Sequence, residues 1–171
     1  MARGRPQIGF VGAGRAGTAL AAGLAAARYP VVAVTSRTTA SAQHFAASFP
    51  GCAALDTPSA VAAVSDLVFI ATPDDAIQGA VESADWRPGQ AVVHLSGAES
   101  LDVLEAAARL GAAVGSLHPL QTFADGAAPD LRGTFFAVEA EGGLRDTLVT
   151  MVDDLGGSAI ELRPEDRALY H

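Results

Sequence analysis

Three closely spaced glycines near the amino terminus form the pattern most suggestive of chemistry. The stretch IGFVGAGRAGTAL leads from an apolar run through Gly12, Gly14 and Gly17 into small helix-forming residues. Between a strand and a helix, the first glycine allows a tight turn, the second lets a pyrophosphate approach, and the third lets the helix pack closely. The helix amino terminus attracts phosphates. The pattern predicts a dinucleotide-binding turn, with Arg15 and Ala16 also at the pyrophosphate.

The residues after the second apolar run bear on which dinucleotide would bind. An NAD site usually carries Asp or Glu about 20 residues further on, where the carboxylate binds the ribose 2′-hydroxyl. This chain reads VTSRTTAS and places Ser36, Arg37 and Thr38 there. All three donate hydrogen bonds, and the Arg37 guanidinium suits a 2′-phosphate. We therefore expect NADP, with NADPH preferred over NADH; the alternative is that Arg37 only points to solvent.

Three further strand ends carry polar residues, and ligands of open α/β sheets collect at such ends. Thr72 and Pro73 are expected to border the ribose and nicotinamide of the cofactor. Ser96 is expected beside the nicotinamide, where its hydroxyl could hold a substrate. His118 is a candidate proton donor or acceptor. A structural role for His118, in which it orders the following loop, is an equally good interpretation.

The elements that must position these residues follow from the apolar pattern. Apolar, β-branched runs alternate with alanine- and leucine-rich segments, which predicts an α/β fold, doubly wound, with a mainly parallel Rossmann-type sheet and helices on both faces. The predicted strands are Gln7–Val11, Val31–Thr35, Cys52–Leu55 (weakly), Asp66–Ala71, Ala91–Leu95, Ala113–Leu117, Thr134–Glu139 and Ala159–Leu162. The predicted helices are Arg15–Ala27, Ala40–Ser48, Ser59–Val64, Asp75–Ser83, Leu101–Arg109 and Leu144–Leu155. Residues 120–133 are predicted to form a long loop.

Charge is distributed unevenly along the 171 residues. The net charge is -8, yet residues 1–55 contain five arginines and no acid, and all 19 acids begin at Asp56. An acidic chain is a poor candidate for general nucleic-acid binding. The basic first part suggests a small anionic ligand there, although Arg3 and Arg5 are expected on a solvated terminus. The chain has no lysine, which excludes lysine Schiff-base chemistry and a P-loop.

The single cysteine, Cys52, excludes an intrachain disulfide and a cysteine-based zinc site. The start, MARGRPQIGFVGAG, is similar to a signal peptide, but Arg15 and the glycines interrupt its apolar run. We therefore expect a cytoplasmic protein with no membrane segment and no bound metal.

Several segments together resemble one family of proteins. They are IGFVGAGRAG, SRT, IATPDDAI, LSGA, GSLHPLQTF and the closing ALYH. They resemble an uncharacterised Rossmann-like oxidoreductase family, related to pyrroline-5-carboxylate reductase, prephenate dehydrogenase and deazaflavin-dependent NADP reductases. The resemblance implies an NADP-binding domain over residues 1–162. It also implies that residues 163–171 begin a helix leading to a C-terminal helical domain, absent here, through which a homodimer would form.

The expected function is that of an NADP(H)-binding domain of a dehydrogenase or reductase. Hydride would pass to or from a small C=O or C=N substrate, with Ser96 and His118 facing the reacting carbon. Whether the chain alone is an enzyme stays open, because the second domain would help to shape the substrate site. The alternatives are a non-catalytic NADP(H) redox sensor and a methyltransferase that uses S-adenosylmethionine.

Overall fold

The computed structural model describes residues 4–121 and 130–162. The predicted start of a helix at 163–171 and most of the predicted loop at 120–133 lie outside these residues. The described strands are β1 Ile8–Val11, β2 Val31–Thr35, β3 Ala53–Ala54, β4 Leu67–Ile70, β5 Ala91–His94, β6 Ala113–Pro119, β7 Phe135–Ala140 and β8 Ser158–Glu161. The described α-helices are α1 Arg15–Ala26, α2 Thr39–Ala47, α3 Pro58–Val64, α4 Asp74–Glu82, α5 Glu105–Arg109 and α6 Gly142–Asp154.

All eight described strands join one sheet in the order β3-β2-β1-β4-β5-β6-β7-β8. Every neighbouring pair is parallel except β6 and β7, which are antiparallel. The chain builds outward from β1 to β3 and then crosses back to β4, so the order reverses between β1 and β4. Ligands of doubly wound sheets bind at such a reversal, outside the carboxyl ends of the strands.

The helices cover both faces of the sheet, as predicted. One apolar cluster lies under α1, α2 and α6, where Phe10 of β1 packs against Phe45 and Phe69 with ring centroids 5.3 and 5.4 Å away. A second cluster lies under α3, α4 and α5 and includes Ile70 and Val92. Both clusters hold fully buried side chains. The doubly wound, mainly parallel α/β fold is therefore confirmed.

Several elements begin or end one or two residues away from their predicted bounds, for example α6, which begins at Gly142 rather than Leu144. The predicted helix Leu101–Arg109 consists of a 3₁₀ helix over Leu101–Leu104 followed by α5. Strand β6 continues two residues beyond its predicted end and includes His118 and Pro119. Pro119 lacks an N–H, but the pairing continues past it because the Leu120 N–H donates to the Phe135 carbonyl at 2.8 Å.

Arg5 is exposed, as expected, but it also makes two contacts that the sequence does not predict. Its guanidinium carbon lies 4.2 Å from the centre of the Tyr29 ring, and its Nη2 lies 3.2 Å from Asp154 Oδ2. The Tyr29 hydroxyl donates to the same carboxylate oxygen at 2.8 Å. Burial, reinforced by this hydrogen bond to Asp154, raises the pKa of Tyr29 to about 12. This cluster ties the segment before β1 to the carboxyl ends of α1 and α6.

Candidate functional site

The first glycine of the amino-terminal pattern is required by the local geometry. Gly12 has a φ of +105°, which L side chains rarely adopt, and a Cβ there would lie 2.5 Å from the Ala71 carbonyl oxygen. Its N–H donates to the Thr35 carbonyl at 2.8 Å. The turn is therefore held between the ends of β2 and β4, and the predicted tight turn is confirmed.

The other two glycines differ in their surroundings. A Cβ on Gly17 would lie 2.7 Å from the Ala71 Cβ and 3.8 Å from Phe10 Cδ1, so α1 packs closely on the sheet, as predicted. The nearest contact is with Ala71, the residue after β4. A Cβ on Gly14 would meet only the Ala71 carbonyl oxygen, at 3.7 Å. Gly14 is the N-cap of α1 and has no side chain with which to cap that helix. The space above Gly14 is thus open next to an uncapped helix end.

A crevice of about 630 Å³ lies at the carboxyl ends of β1, β2 and β4. Of the predicted cofactor-binding residues, those that line it are Gly12, Gly14, Ser36, Arg37, Thr38, Thr72 and Pro73. Arg15, Ala16 and Gly17 form the first turn of α1 beside the crevice and are not among its lining residues. The topology therefore gathers residues from separate strand ends into one site.

Arg37 and Thr38 occupy one side of this crevice with different local roles. The Arg37 side chain is exposed and forms no hydrogen bond or ion pair with the described residues. Thr38 is the N-cap of α2: its Oγ1 accepts from the Ser41 N–H at 3.2 Å and donates to Ser41 Oγ at 2.7 Å. The Arg37 guanidinium is therefore available to a ligand, while the Thr38 hydroxyl is already used by the helix.

Thr72 lies across the crevice from Arg37, after β4. Its Oγ1 is buried and has no hydrogen-bond partner among residues 4–121 and 130–162. A buried hydroxyl without a partner costs about 1–3 kcal/mol. Pro73 follows as the N-cap of α4, with Asp74 and Asp75 in the first turn of that helix. Thr72 Oγ1 is therefore a buried polar atom beside the crevice that the described residues leave unsatisfied.

His118 is held by the backbone at the end of β5. Its Nδ1 lies 2.8 Å from the Leu95 carbonyl oxygen, and because a carbonyl only accepts, Nδ1 is the protonated nitrogen. In the neutral ring, Nε2 is then an acceptor. The ring packs over Gly97, where a Cβ would lie 2.7 Å from Nε2. Nδ1 of His118 is thus used in a structural hydrogen bond, and Nε2 is the ring nitrogen that could accept a proton.

Ser96 has a structural role that the sequence does not reveal. Its Oγ accepts hydrogen bonds from the Ala98 and Glu99 N–H groups, at 3.0 and 3.1 Å, and the residue is buried. Ser96 and His118 lie near one another at the ends of β5 and β6, but neither lines the crevice. The described residues therefore form two groups, the crevice and the Ser96–His118 pair, along the same edge of the sheet.

Four polar residues that line the crevice were not predicted as site residues: Thr35, Ser41, Asp56 and Asp75. Asp56 follows β3, whose two residues give too weak an apolar signal to mark a strand end in the sequence. The only signal for Asp56 in the sequence is that it is the first acidic residue of the chain.

A larger groove, of about 810 Å³, lies at the opposite edge of the sheet. It is lined by residues at the amino ends of three strands, among them Leu67, Ala91 and Ala113. Ligands of open α/β sheets bind at the carboxyl ends of the strands. The smaller crevice is therefore the better candidate site.

Within the described ranges, no helix is long and apolar enough to cross a membrane. The same ranges contain no group of three or more His, Cys, Asp or Glu residues placed to bind a metal. Cys52 is a half-buried free thiol, and burial raises its pKa to about 11.

The strand order and the glycine turn at the reversal define a Rossmann-type fold. The family model for the Rossmann-like domain matches residues 1–119, and the chain belongs to this family. No curated protein sequence matches the chain significantly.

Solved structures with the same fold include three informative cases. A candidate NADP oxidoreductase from Bacteroides fragilis is 25% identical over 97% of this chain and 64% of its own, with a TM-score of 0.81. Pyrroline-5-carboxylate reductase from Streptococcus pyogenes is 15% identical over 95% and 60%, with a TM-score of 0.73. Prephenate dehydrogenase from A. aeolicus, in complex with hydroxyphenyl propionate and NAD+, is 14% identical over 98% and 63%, with a TM-score of 0.78.

These matches confirm the predicted relationship to pyrroline-5-carboxylate reductase and prephenate dehydrogenase at the level of the fold. The present chain spans 60–64% of the length of the three proteins.

Proposed function

We propose that this chain is the NADP(H)-binding part of an oxidoreductase that transfers hydride to or from a small C=O or C=N substrate. The observation that carries the proposal is the crevice itself, in which an uncapped helix end at Gly14 and an unpartnered guanidinium at Arg37 line one cavity. Both features attract phosphate groups. A molecule with a pyrophosphate and a separate phosphate would satisfy both.

The residues present suit such a dinucleotide. Gly14 and the first turn of α1, including Arg15 and Ala16, would hold the pyrophosphate through backbone N–H groups. Ser36 and Arg37 would hold the 2′-phosphate, with the amino terminus of α2 adding a favourable dipole. When bound, the nicotinamide supplies the hydride chemistry.

On the other side of the crevice, Thr72 and Pro73 would border the ribose and the nicotinamide. The buried Thr72 hydroxyl would gain there the hydrogen-bond partner that the described residues do not provide. A ligand hydroxyl or amide could pair with it. This accounts for a polar group that the fold alone leaves unsatisfied.

His118 and Ser96 are the proposed groups at the reacting carbon. The hydrogen bond from Nδ1 to the Leu95 carbonyl would fix the imidazole ring, so that Nε2 exchanges a proton with the substrate oxygen or nitrogen. The Ser96 hydroxyl, which already accepts two backbone hydrogen bonds, keeps its own proton for donation to a substrate.

A second candidate function is a non-catalytic NADP(H) sensor or binding module. The observation that favours it is the absence of Ser96 and His118 from the residues lining the crevice. The two candidate functions share the cofactor site and differ only in whether hydride transfer takes place after the cofactor binds.

Titration of the 171-residue protein with NADPH, NADH and S-adenosylmethionine, followed by calorimetry, tests the proposal. We expect NADPH to bind most tightly, because of the three only NADPH carries a 2′-phosphate that Arg37 could bind. Binding of S-adenosylmethionine in preference to both coenzymes would support a methyltransferase instead. Failure of either nicotinamide coenzyme to bind would overturn the proposal, and preference for NADH would overturn the role of Arg37.

A further inference from the structure

The charges that line the crevice are not those expected for a site that binds an extra phosphate. Among its lining residues, Arg37 is the only cation, whereas Asp56 and Asp75 are both acidic. The lining therefore carries a net negative charge. A carboxylate close to a bound 2′-phosphate would oppose it, so the position of each acid matters.

The sheet register places Asp56 next to the residues proposed to hold the 2′-phosphate. Strand β3 pairs with β2 so that Ala54 lies beside Val34, and the Leu55 N–H donates to the Val34 carbonyl at 2.8 Å. Asp56 and Ser36 each lie two residues beyond the last pair of this register, at the carboxyl ends of adjacent strands, and both line the crevice.

The Asp56 carboxylate is not neutralised by its surroundings. The residue is exposed, and its side chain forms no hydrogen bond or ion pair with the described residues, including Arg37. The adjacent Thr57 caps α3 with its own hydroxyl, which accepts from the Ala60 N–H at 3.1 Å. Asp56 is thus not needed as the cap, and its charge faces the crevice without compensation.

We propose that Asp56 sets the coenzyme specificity of this site by repelling the 2′-phosphate, an inference that rests on the proposed function. Its carboxylate keeps the preference for NADPH over NADH below the value that Ser36 and Arg37 alone would give. NADH has a neutral hydroxyl at the same position and is not repelled. The phosphate carries about -1.5 to -2 charges at pH 7, so the repulsion acts selectively on NADPH.

Asp75 provides a matched control within the same crevice. It lies in the first turn of α4, after β4, and β1 separates β4 from β2. Two strand spacings, about 10 Å, therefore lie between the Asp75 side of the crevice and Ser36. At about 10 Å the repulsion is weaker than at a few ångströms, and added salt screens it further. Asp75→Asn should therefore change the ratio of the NADPH and NADH affinities by less than Asp56→Asn does.

The test compares wild type, Asp56→Asn and Asp75→Asn in the full chain, titrated with NADPH and NADH. At 20 mM NaCl, we expect Asp56→Asn to tighten NADPH binding by about three- to tenfold, as for two charges several ångströms apart near a protein surface. NADH binding should change by less than about twofold, and at 500 mM NaCl the gain for NADPH should largely disappear, because salt screens exposed charges.

Two results would overturn the inference. If Asp56→Asn leaves the ratio of the NADPH and NADH affinities unchanged, the Asp56 charge does not act on the 2′-phosphate. If both affinities fall equally, Asp56 contacts the adenosine that the two coenzymes share. A second variant, Asp56→Ser, removes the charge without adding an amide and should behave like Asp56→Asn; a gain limited to the asparagine variant would also contradict it. If wild type binds neither coenzyme, the proposed function fails, and the ratio is then undefined.

Discussion

At the scale of single residues, Arg37 and Thr72 are side chains that the fold itself does not use. The Arg37 guanidinium has no partner among the described residues, and the Thr72 hydroxyl is buried without one. Native proteins satisfy most buried polar groups, and local exceptions tend to lie at functional sites. Thr72 is such an exception, and it lines the same crevice as the exposed Arg37, which is why one ligand is proposed for both.

Replacing Arg37 with alanine should weaken NADPH binding by about 10- to 100-fold, because one charge-assisted hydrogen bond contributes about 1.5–3 kcal/mol. NADH binding should change by less than about twofold, and the free energy of unfolding by less than about 0.5 kcal/mol, because the side chain is exposed. Fluorescence titration with both coenzymes measures the effect. Arg109→Ala, on an exposed arginine of α5, is the control. An equal loss for NADH would place Arg37 away from the 2′-phosphate.

Replacing Thr72 with valine should stabilise the ligand-free protein by about 1 kcal/mol, because it removes a buried hydroxyl that lacks a partner. The same change should weaken coenzyme binding, since the proposed ligand contact is lost. Urea unfolding with and without NADPH measures both quantities. Thr147→Val is the control, because the Thr147 hydroxyl donates to the Gly143 carbonyl at 2.8 Å on the distant helix α6. Destabilisation by Thr72→Val would show that the hydroxyl is satisfied after all.

At the scale of elements, the turn between β1 and α1 depends on how closely it approaches β4. Gly12 has a positive φ and lies against the Ala71 carbonyl, while α1 contacts the same residue through Gly17. The strand order reverses between β1 and β4, and the helices that follow these strands, α1 and α4, pack on opposite faces of the sheet. The crevice lies between the starts of these two helices. Its shape is therefore set by backbone packing.

Gly12→Ala should destabilise the protein by at least about 2 kcal/mol, because the new Cβ meets the Ala71 carbonyl and alanine disfavours the positive φ. Gly79→Ala is the matched control within α4: a Cβ there meets nothing within 4 Å. That substitution should stabilise the protein by about 0.5–1 kcal/mol through helix propensity. Thermal unfolding of both variants measures the difference. Similar stabilities for the two would contradict the role given to Gly12.

At the scale of the whole molecule, the cluster of Arg5, Tyr29 and Asp154 joins distant parts of the chain. Residues 125 positions apart meet through the hydrogen bond from the Tyr29 hydroxyl to Asp154. Folding raises the pKa of Tyr29 from its ordinary value of 10.0 to about 12, mainly by burial. The folded state therefore holds this proton more tightly than the unfolded state does.

The stabilisation linked to Tyr29 should be complete below pH 10 and lost as the pH rises from 10 to 12. We expect a loss of about 1–2 kcal/mol, after allowing for solvent screening around the partly exposed hydroxyl. Urea unfolding between pH 8 and pH 11.5 measures it, and Tyr29→Phe should flatten the curve above pH 10. Cys52, whose pKa is raised from 9.0 to about 11, adds a similar loss in a lower window, so a Cys52→Ala background isolates the tyrosine. An unchanged slope in Tyr29→Phe would contradict the assignment.

The sequence specifies most of this architecture because the buried strands are continuous apolar runs and the glycine turn has a fixed spacing. It does not specify that β7 runs antiparallel to β6, because an apolar run carries no strand direction. The contacts of Arg5 could not be predicted either, since Tyr29 and Asp154 meet it only in the folded chain. Asp56 was missed because the short strand before it, β3, gives only a weak apolar signal in the sequence.

One small residue, Ala71, explains two of the three glycines without any ligand. A Cβ at position 12 or 17 would collide with it, whereas one at position 14 would lie at ordinary contact distance. Gly12 and Gly17 are therefore explained by close backbone packing alone. Only Gly14 leaves space that a ligand could occupy. A homologous chain with glycine at positions 12 and 17 but a large side chain at position 14 should adopt the same fold without binding a dinucleotide. Glycine counts alone would not distinguish it from this one.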